Sequence, residues 1–364
     1  DYPERITPDS TLLAGDERPN SRYPSVEVGV TATIHLGQAL GDAGIDAPLW
    51  CVTGGAVTIG GAEAVAHPRQ AQVWGLGRGV ALEQPHRWGG LIDLPPAPTD
   101  SELSLLGTVL SSSGEDQIAI RGTTSYGRRL VAAPRTTRES ARMWTPEGTV
   151  LVVGGTGGIG AEVAKWLAAE GASDLVLVGR RGAAAEGASE LVEDLAAAGA
   201  RGTIIACDIA DREAVTALIG QLDAAGRKIR AVLHVAGVPQ AQPFVEMDLA
   251  EYAAVTAAKV AGVRNLDEGL ANHPLDVFVL FSSNSGVWGS GGHGAYAAAN
   301  AYLDAFAQSR RDRGLPATSI AWGAWSGAGM AVGDAGVQLR RRGVAPIAVP
   351  TALHALKQAI EQDE

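Results

Sequence analysis

From residue 149 onward the chain alternates short, almost purely apolar runs with longer stretches whose apolar positions recur at helical spacing. The apolar runs predict strands at Thr149 to Val153, Asp174 to Val178, Arg201 to Ala206, Ala231 to His234, Val277 to Ser282 and Ala317 to Ala321. The amphipathic stretches between them predict helices such as Ala161 to Glu170, Ala188 to Ala198 and Arg212 to Ala225. Strands without polar alternation are buried on both faces, so the pattern predicts a parallel sheet covered by helices. Ligands of such a sheet bind beyond the carboxyl ends of its strands.

The first part of the chain has a weaker version of the same pattern. Strands are expected at Leu49 to Thr53, Gly90 to Leu94, Gln117 to Ile120 and Arg129 to Ala132, with helices around Val28 to Ala43 and Gln70 to Glu83. Thr53-Gly54-Gly55 resembles a phosphate loop, but no further glycines at suitable offsets open a helix. The polar, basic segment from Ala133 to Pro146, bounded by prolines, reads as a linker. The expected units are residues 1–140 and 147–364.

Charge removes some classes of function. The chain carries 29 Lys and Arg against 40 Asp and Glu, net −11, with the basic residues scattered. A nucleic-acid groove would need a basic stripe, so no nucleic acid is expected as partner. The longest apolar runs fall far short of the ~18 residues of a membrane span, so no membrane is expected either. Two cysteines, Cys51 and Cys207, form neither a disulfide framework nor a zinc site, and the expectation is a reducing, cytoplasmic setting and no metal. The sequence opens at Asp1 without a signal-like stretch and reads as an excised piece of a longer chain.

Glycine is abundant, 47 of 364 residues, and seven residues concentrate it where it matters. Gly154, Gly155, Thr156, Gly157, Gly158, Ile159 and Gly160 lie between a predicted strand and a predicted helix. Glycines let a backbone touch a pyrophosphate, and the free N–H groups of the helix start supply donors and partial positive charge. In this setting the loop predicts dinucleotide binding, with a purely structural tight turn as the alternative. About twenty residues on, where an NAD site presents an acid, stand Arg180 and Arg181. Two guanidiniums suit a 2′-phosphate and point to NADPH; the alternative is a solvated surface pair. Asp208 and Ile209 end the third strand of this half, the carboxylate as an adenine acceptor or an ordinary cap. Ala236 and Gly237, after the fourth, are small enough for close approach to a cofactor.

Ser283 follows the fifth strand, and Tyr296 stands thirteen residues later. Tyr296, Asn300 and Asp304 recur every four residues and share one helix face. A ketone receiving hydride becomes an alkoxide, which requires a proton donor and a second hydrogen bond already in place. Tyr296 can donate, but a phenol near pKa ~10 needs a nearby cation. Ser and Tyr at this spacing behind such a glycine loop resemble the short-chain dehydrogenase/reductase superfamily. Most of its members carry Lys four residues after the tyrosine, where this chain has Asn300. Lys259, one of only four lysines, lies instead on the predicted helix Leu249 to Glu268.

That exchange of Lys and Asn resembles the ketoreductase domains of modular polyketide synthases. The resemblance runs through Val153 to Gly160, Lys259, Ser283 to Asn300, Ala321 to Trp325 and Arg340 to Val344. It implies a Rossmann-like doubly wound α/β catalytic subdomain preceded by a truncated Rossmann-like structural subdomain without cofactor. It further implies that Tyr296 donates the proton, Ser283 holds the carbonyl oxygen, Lys259 acidifies the tyrosine and touches the nicotinamide ribose, and Asn300 supports the lysine and a water. The implied partners are an acyl carrier protein bearing a phosphopantetheine-tethered β-ketoacyl chain and other domains of the same synthase.

The family also carries stereochemical markers. Val238-Pro239-Gln240 stands where D-type members have Leu-Asp-Asp, and Trp288 lies eight residues before Tyr296, as in the L-type (A-type) members. His293, three residues before Tyr296, is the mark of the subtype that selects the (2S) α-methyl. Core filling is the alternative for Trp288, and a surface imidazole for His293. The Gly-rich, then basic stretch Gly327 to Val344 resembles a lid over substrate, or a disordered connector. An alternative function is an inactive scaffold or an epimerising ketoreductase-like domain.

Overall fold

The computed structural model describes Tyr23, residues 26–112, 114–132, 143–327, Gly329 and residues 344–362. Two sheets organise them.

The first sheet contains β1 (Leu49–Gly54), β2 (Trp88–Leu94), β3 (Gln117–Arg121) and β4 (Thr124–Gly127) in that spatial order. β1, β2 and β3 are parallel, and β4 returns antiparallel beside β3. The expected strand at Arg129 to Ala132 is absent and β4 takes its role. Gly122, at φ 58, closes a tight hairpin in which Arg121 faces Thr124, so the return strand starts earlier than apolar content suggests. All four residues of β4 are exposed, so no burial pattern marks the strand in the sequence. Helices α1 (Val28–Asp42), α2 (Ala71–Glu83) and α3 (Asp100–Leu110) accompany this sheet. α3, not foreseen above, starts on a reciprocal capping box between Thr99 and Glu102. Thr53-Gly54-Gly55 opens no helix: Asp93 Oδ1 accepts from the Thr53 hydroxyl at 2.6 Å and from the Ala56 amide at 2.8 Å.

The second sheet is wholly parallel, in the order β10-β9-β8-β5-β6-β7. Its strands are β5 (Thr149–Val153), β6 (Asp174–Gly179), β7 (Arg201–Ala206), β8 (Ile229–His234), β9 (Val277–Ser283) and β10 (Thr318–Trp322). The chain winds outward from β5 in both directions, which is the doubly wound Rossmann order, with a crevice where β5 and β8 diverge. Helices α4 (Gly158–Ala169) and α5 (Ala188–Ala197) cover one face together with α11 (Val349–Gln362), a helix not foreseen above. α6 (Arg212–Ala224), α8 (Val263–Gly269) and α10 (Gly294–Asp312) cover the other, through Leu218, Leu266 and Phe306 among others. The helix expected over Leu249 to Glu268 is instead α7 (Leu249–Ala257), a π-turn over Ala258–Gly262, and α8. α9 (Asn284–Trp288) is a short helix directly after β9.

The two sheets are joined by a common core. Trp74, Leu76 and Val80 of α2 pack with Tyr252 and Val255 of α7 and with Ala295 and Ala298 of α10. α2 meets α10 backbone to backbone: a Cβ on Gly75 would lie 2.3 Å from the Ala297 carbonyl oxygen. No helix among the described residues is long and apolar enough to cross a membrane.

Candidate active site

Ser283 is the last residue of β9 and the N-cap of α9. Its hydroxyl lies 2.7 Å from that of Ser285 and accepts the Ser285 amide at 3.3 Å. A buried serine held at a strand end in this way stands at the crevice with a fixed oxygen. Tyr296 is in the first turn of α10, with the side chains of Ser283 and Asn300 beside its phenol. Burial pushes the phenol above its ordinary pKa, and the polar side chains of Ser283 and Asn300 pull the other way.

Lys259 reaches the same place from the opposite helix. It is 3% exposed, its Nζ donates to the Phe281 carbonyl at 2.6 Å, and it lies 6.0 Å from the centroid of the Tyr296 ring. Burial lowers its pKa to about 7, and the Asp304 carboxylate opposes that shift. The π-turn explains its placement. A π-turn rotates side chains off the α-helical register, and the fully buried His234 holds the turn at its start, donating from Nε2 to the Ala258 carbonyl at 3.0 Å. Burial and the nearby Lys259 lower the His234 pKa to about 3, so the ring is neutral at physiological pH.

Asn300, fully buried one turn after Tyr296, donates from Nδ2 to the Tyr296 carbonyl at 2.7 Å. Its Oδ1 is buried and has no hydrogen-bond partner among the described residues, leaving an acceptor in the site for a water or an ammonium. Ser283, Tyr296, Lys259 and Asn300 thus converge from three separate elements.

The glycine loop lies across the crevice. Gly154 has φ 80, and a Cβ there would lie 2.8 Å from the Ala236 amide nitrogen; one on Gly160 would lie 2.0 Å from the Gly154 carbonyl oxygen. These glycines let β5, the loop and α4 pack backbone to backbone. Gly157 is the N-cap of α4, and Gly157 and Gly158 are exposed, with Thr156 and Ile159 half-buried beside them. The first turn of α4 contains no acidic residue, so its free N–H groups form an anion cradle that suits a dinucleotide pyrophosphate. Arg180 and Arg181 follow β6, both exposed, and neither pairs with a carboxylate among the described residues. Asp208 is exposed and turns its own backbone, Oδ1 accepting the Ala210 amide at 3.0 Å. Ile209 is buried against Gly262, and Ala236 and Gly237 are half-buried beside the loop. The residues present therefore fit a dinucleotide.

Comparison with known proteins agrees with this geometry. Residues 148–327 match the family model described as KR domain, and residues 6–130 match that described as polyketide synthase extender module SpnB, Rossmann fold domain. A solved structure described as "Structure of A-type Ketoreductases from Modular Polyketide Synthase" is 47% identical with a TM-score of 0.92, over 97% of this chain and 75% of that one. The chain belongs to the ketoreductase domains of modular polyketide synthases. These are oxidoreductases of the short-chain dehydrogenase/reductase type, whose fold implies a nicotinamide cofactor. A structure described as "Structure of A1-type ketoreductase" is 48% identical with a TM-score of 0.91, over 97% of this chain and 75% of that one. Polyketide synthase GfsA of Streptomyces halstedii is 52% identical over 97% of this chain, and Erythronolide synthase EryA3 of Saccharopolyspora erythraea 52% over 93%. The chain spans 5% and 10% of the length of those two relatives.

In this ketoreductase the segment after β8 does more than lack an acidic marker. Gln240, 5% exposed, accepts with Oε1 from the amides of Ala295 at 2.9 Å and Tyr296 at 3.1 Å. It caps α10 from outside the helix, because the N-cap residue His293 makes no capping hydrogen bond of its own. Trp288 is 58% exposed, so it is not core filling. His293 is half-buried and its Nδ1 donates to the Gly291 carbonyl at 2.9 Å. Most of the lid-like stretch Gly327 to Val344, including Arg340, Arg341 and Arg342, lies outside the described residues, as do residues 133–142 of the linker. Gln240 and His234 were not singled out as site residues from the sequence. Neither contact has a sequence signal, since each joins positions remote along the chain.

Proposed function

We propose that this chain uses NADPH to reduce the β-ketone of an acyl thioester, carried on the phosphopantetheine of an acyl carrier protein, to the L-β-hydroxyacyl thioester. Residues 147–364 are the catalytic subdomain and residues 1–140 the structural one, within a synthase of further domains. The observation that carries the reading is the buried Lys259 ammonium 6.0 Å from the Tyr296 ring, with Ser283 beside the same phenol.

The cofactor, when bound, supplies hydride to the carbonyl carbon. Ser283 holds the substrate oxygen by a hydrogen bond, and Tyr296 gives it a proton as charge develops there. Lys259, in its protonated form, stabilises the tyrosinate left behind, and the open acceptor of Asn300 holds a water or the ammonium in line. Gly154, Thr156, Gly157, Gly158, Ile159 and Gly160 receive the pyrophosphate, and Arg180 and Arg181, both unpaired with acids among the described residues, receive the 2′-phosphate. Trp288, exposed at the end of α9, is in a position to direct the acyl chain from one side, and His293 to narrow the space for an α-substituent.

The test is reduction of a racemic 2-methyl-3-ketoacyl thioester with NADPH, followed by chiral chromatography. We expect loss of NADPH absorbance, much faster than with NADH, and L-hydroxyl product of (2S) configuration. A predominantly D product overturns the reading of Trp288, and no turnover overturns the reaction.

A further inference from the structure

Two loops flank the N-terminus of α10, and a carboxylate from the other half of the molecule holds both. One loop runs from Gly237 to Met247 after β8; the other runs from Gly289 to His293 between α9 and α10. Glu83, the last residue of α2, accepts the Phe244 amide on Oε2 at 2.6 Å and the Gly292 amide on Oε1 at 2.9 Å. The loops also bond each other directly, the Gln242 amide donating to the Gly292 carbonyl at 2.8 Å. Gln240 of the first loop caps α10 at Tyr296, and Gly292 of the second precedes His293. Any change in their spacing is therefore felt at the proton donor and at the residues that bear the stereochemical markers.

We propose that Glu83 is a specificity-positioning residue, a single carboxylate of the N-terminal half that sets the spacing between the two walls of the substrate entrance. The inference rests on the ketoreductase reading above. A carboxylate has two oxygens and can satisfy both amides at once, in charge-assisted bonds about twice as strong as neutral ones. An amide at the same position keeps one acceptor oxygen and turns an NH2 group, which cannot accept, toward the N–H of the other loop, so it loses one of the two bonds. Selection between diastereomeric transition states depends on small energies, a tenfold ratio for about 1.4 kcal/mol, so slack of a fraction of an ångström at the entrance is enough to change the product.

The experiment compares wild type, Glu83→Gln and Glu83→Ala with the racemic 2-methyl-3-ketoacyl thioester, measuring diastereomeric ratio, KM for NADPH and melting temperature. We expect the ratio to fall about tenfold in Glu83→Ala and by less in Glu83→Gln, with KM for NADPH within about twofold of wild type, because Glu83 touches no part of the glycine loop. Unchanged ratios in both variants overturn the proposal. If Glu83→Ala does not fold, Glu83→Gln decides by the same criterion. A wild type that is stereoselective alongside unselective variants supports the positioning role of Glu83; a wild type that does not reduce the thioester overturns the ketoreductase reading and this inference with it.

Discussion

An ammonium as buried as that of Lys259 loses most of its hydration, and the single carbonyl of Phe281 replaces only part of it. Its pKa falls from 10.5 to about 7, with burial the main cause. Below about pH 7 the folded and unfolded chains both hold the proton, and the penalty of the buried charge is fully present. As pH rises towards 10.5 the folded chain loses the proton first and the penalty fades. Wild type should therefore gain stability relative to Lys259→Met between about pH 6 and about pH 10, by as much as several kcal/mol. Urea denaturation of both proteins at the two pH values checks this; a difference that does not change with pH would show that the amine keeps its proton throughout. Ser283, Tyr296 and Asn300 were readable from spacing and residue type. Lys259 could be tied to them only through family resemblance, since 37 positions separate it from Tyr296 in the chain.

At the scale of elements, the apolar runs located every strand of the parallel sheet to within a residue or two; β5, β6, β8 and β9 are buried almost throughout, while β7 and β10 at the two edges are only partly buried. Elements that bury almost no apolar side chain were harder to read. β4 is exposed along its length, and α3 buries only Glu102 and Val109. The π-turn in the helix of Lys259 left no trace in hydrophobic periodicity, yet it decides where the amine points. The cap on α10 is equally silent: Gln240 is 55 residues from Ala295. Replacing Gln240 by Met leaves two first-turn amides without their acceptor. The expected cost is about 1 kcal/mol in chemical denaturation and a kcat about tenfold lower, as Tyr296 shifts. Gln240→Glu keeps an acceptor oxygen and should restore most of the rate; steady-state kinetics of both variants checks it.

Across the whole molecule, the first half acts as a brace for the second. α2 lies so close to α10 that Gly75 has no room for a methyl group, and Glu83 at the end of α2 grips the entrance loops. Arg78, between them, donates to the Gly286 carbonyl in α9 and to Gln117 in β3. Gly75→Ala should push α10 away from α2, costing about 1–3 kcal/mol as overpacking does. It should lower kcat more than it raises KM for NADPH, because α10 carries Tyr296 and the glycine loop belongs to α4. Thermal melting with steady-state kinetics tests this; a variant that melts like wild type would show that the helices have slack.

The sequence alone determined the alternation of strand and helix, the glycine turn at the start of α4, and the presence of a serine, a tyrosine and an asparagine at workable spacing. Those properties are local: they follow from burial, backbone freedom and helix periodicity over a few residues. Tertiary structure decided which lysine reaches the phenol, which glutamine caps its helix, and which carboxylate spans the entrance. Each of these joins positions that only the winding of the chain brings together, and a hydrogen bond or a charge acts over ångströms whatever the separation along the backbone.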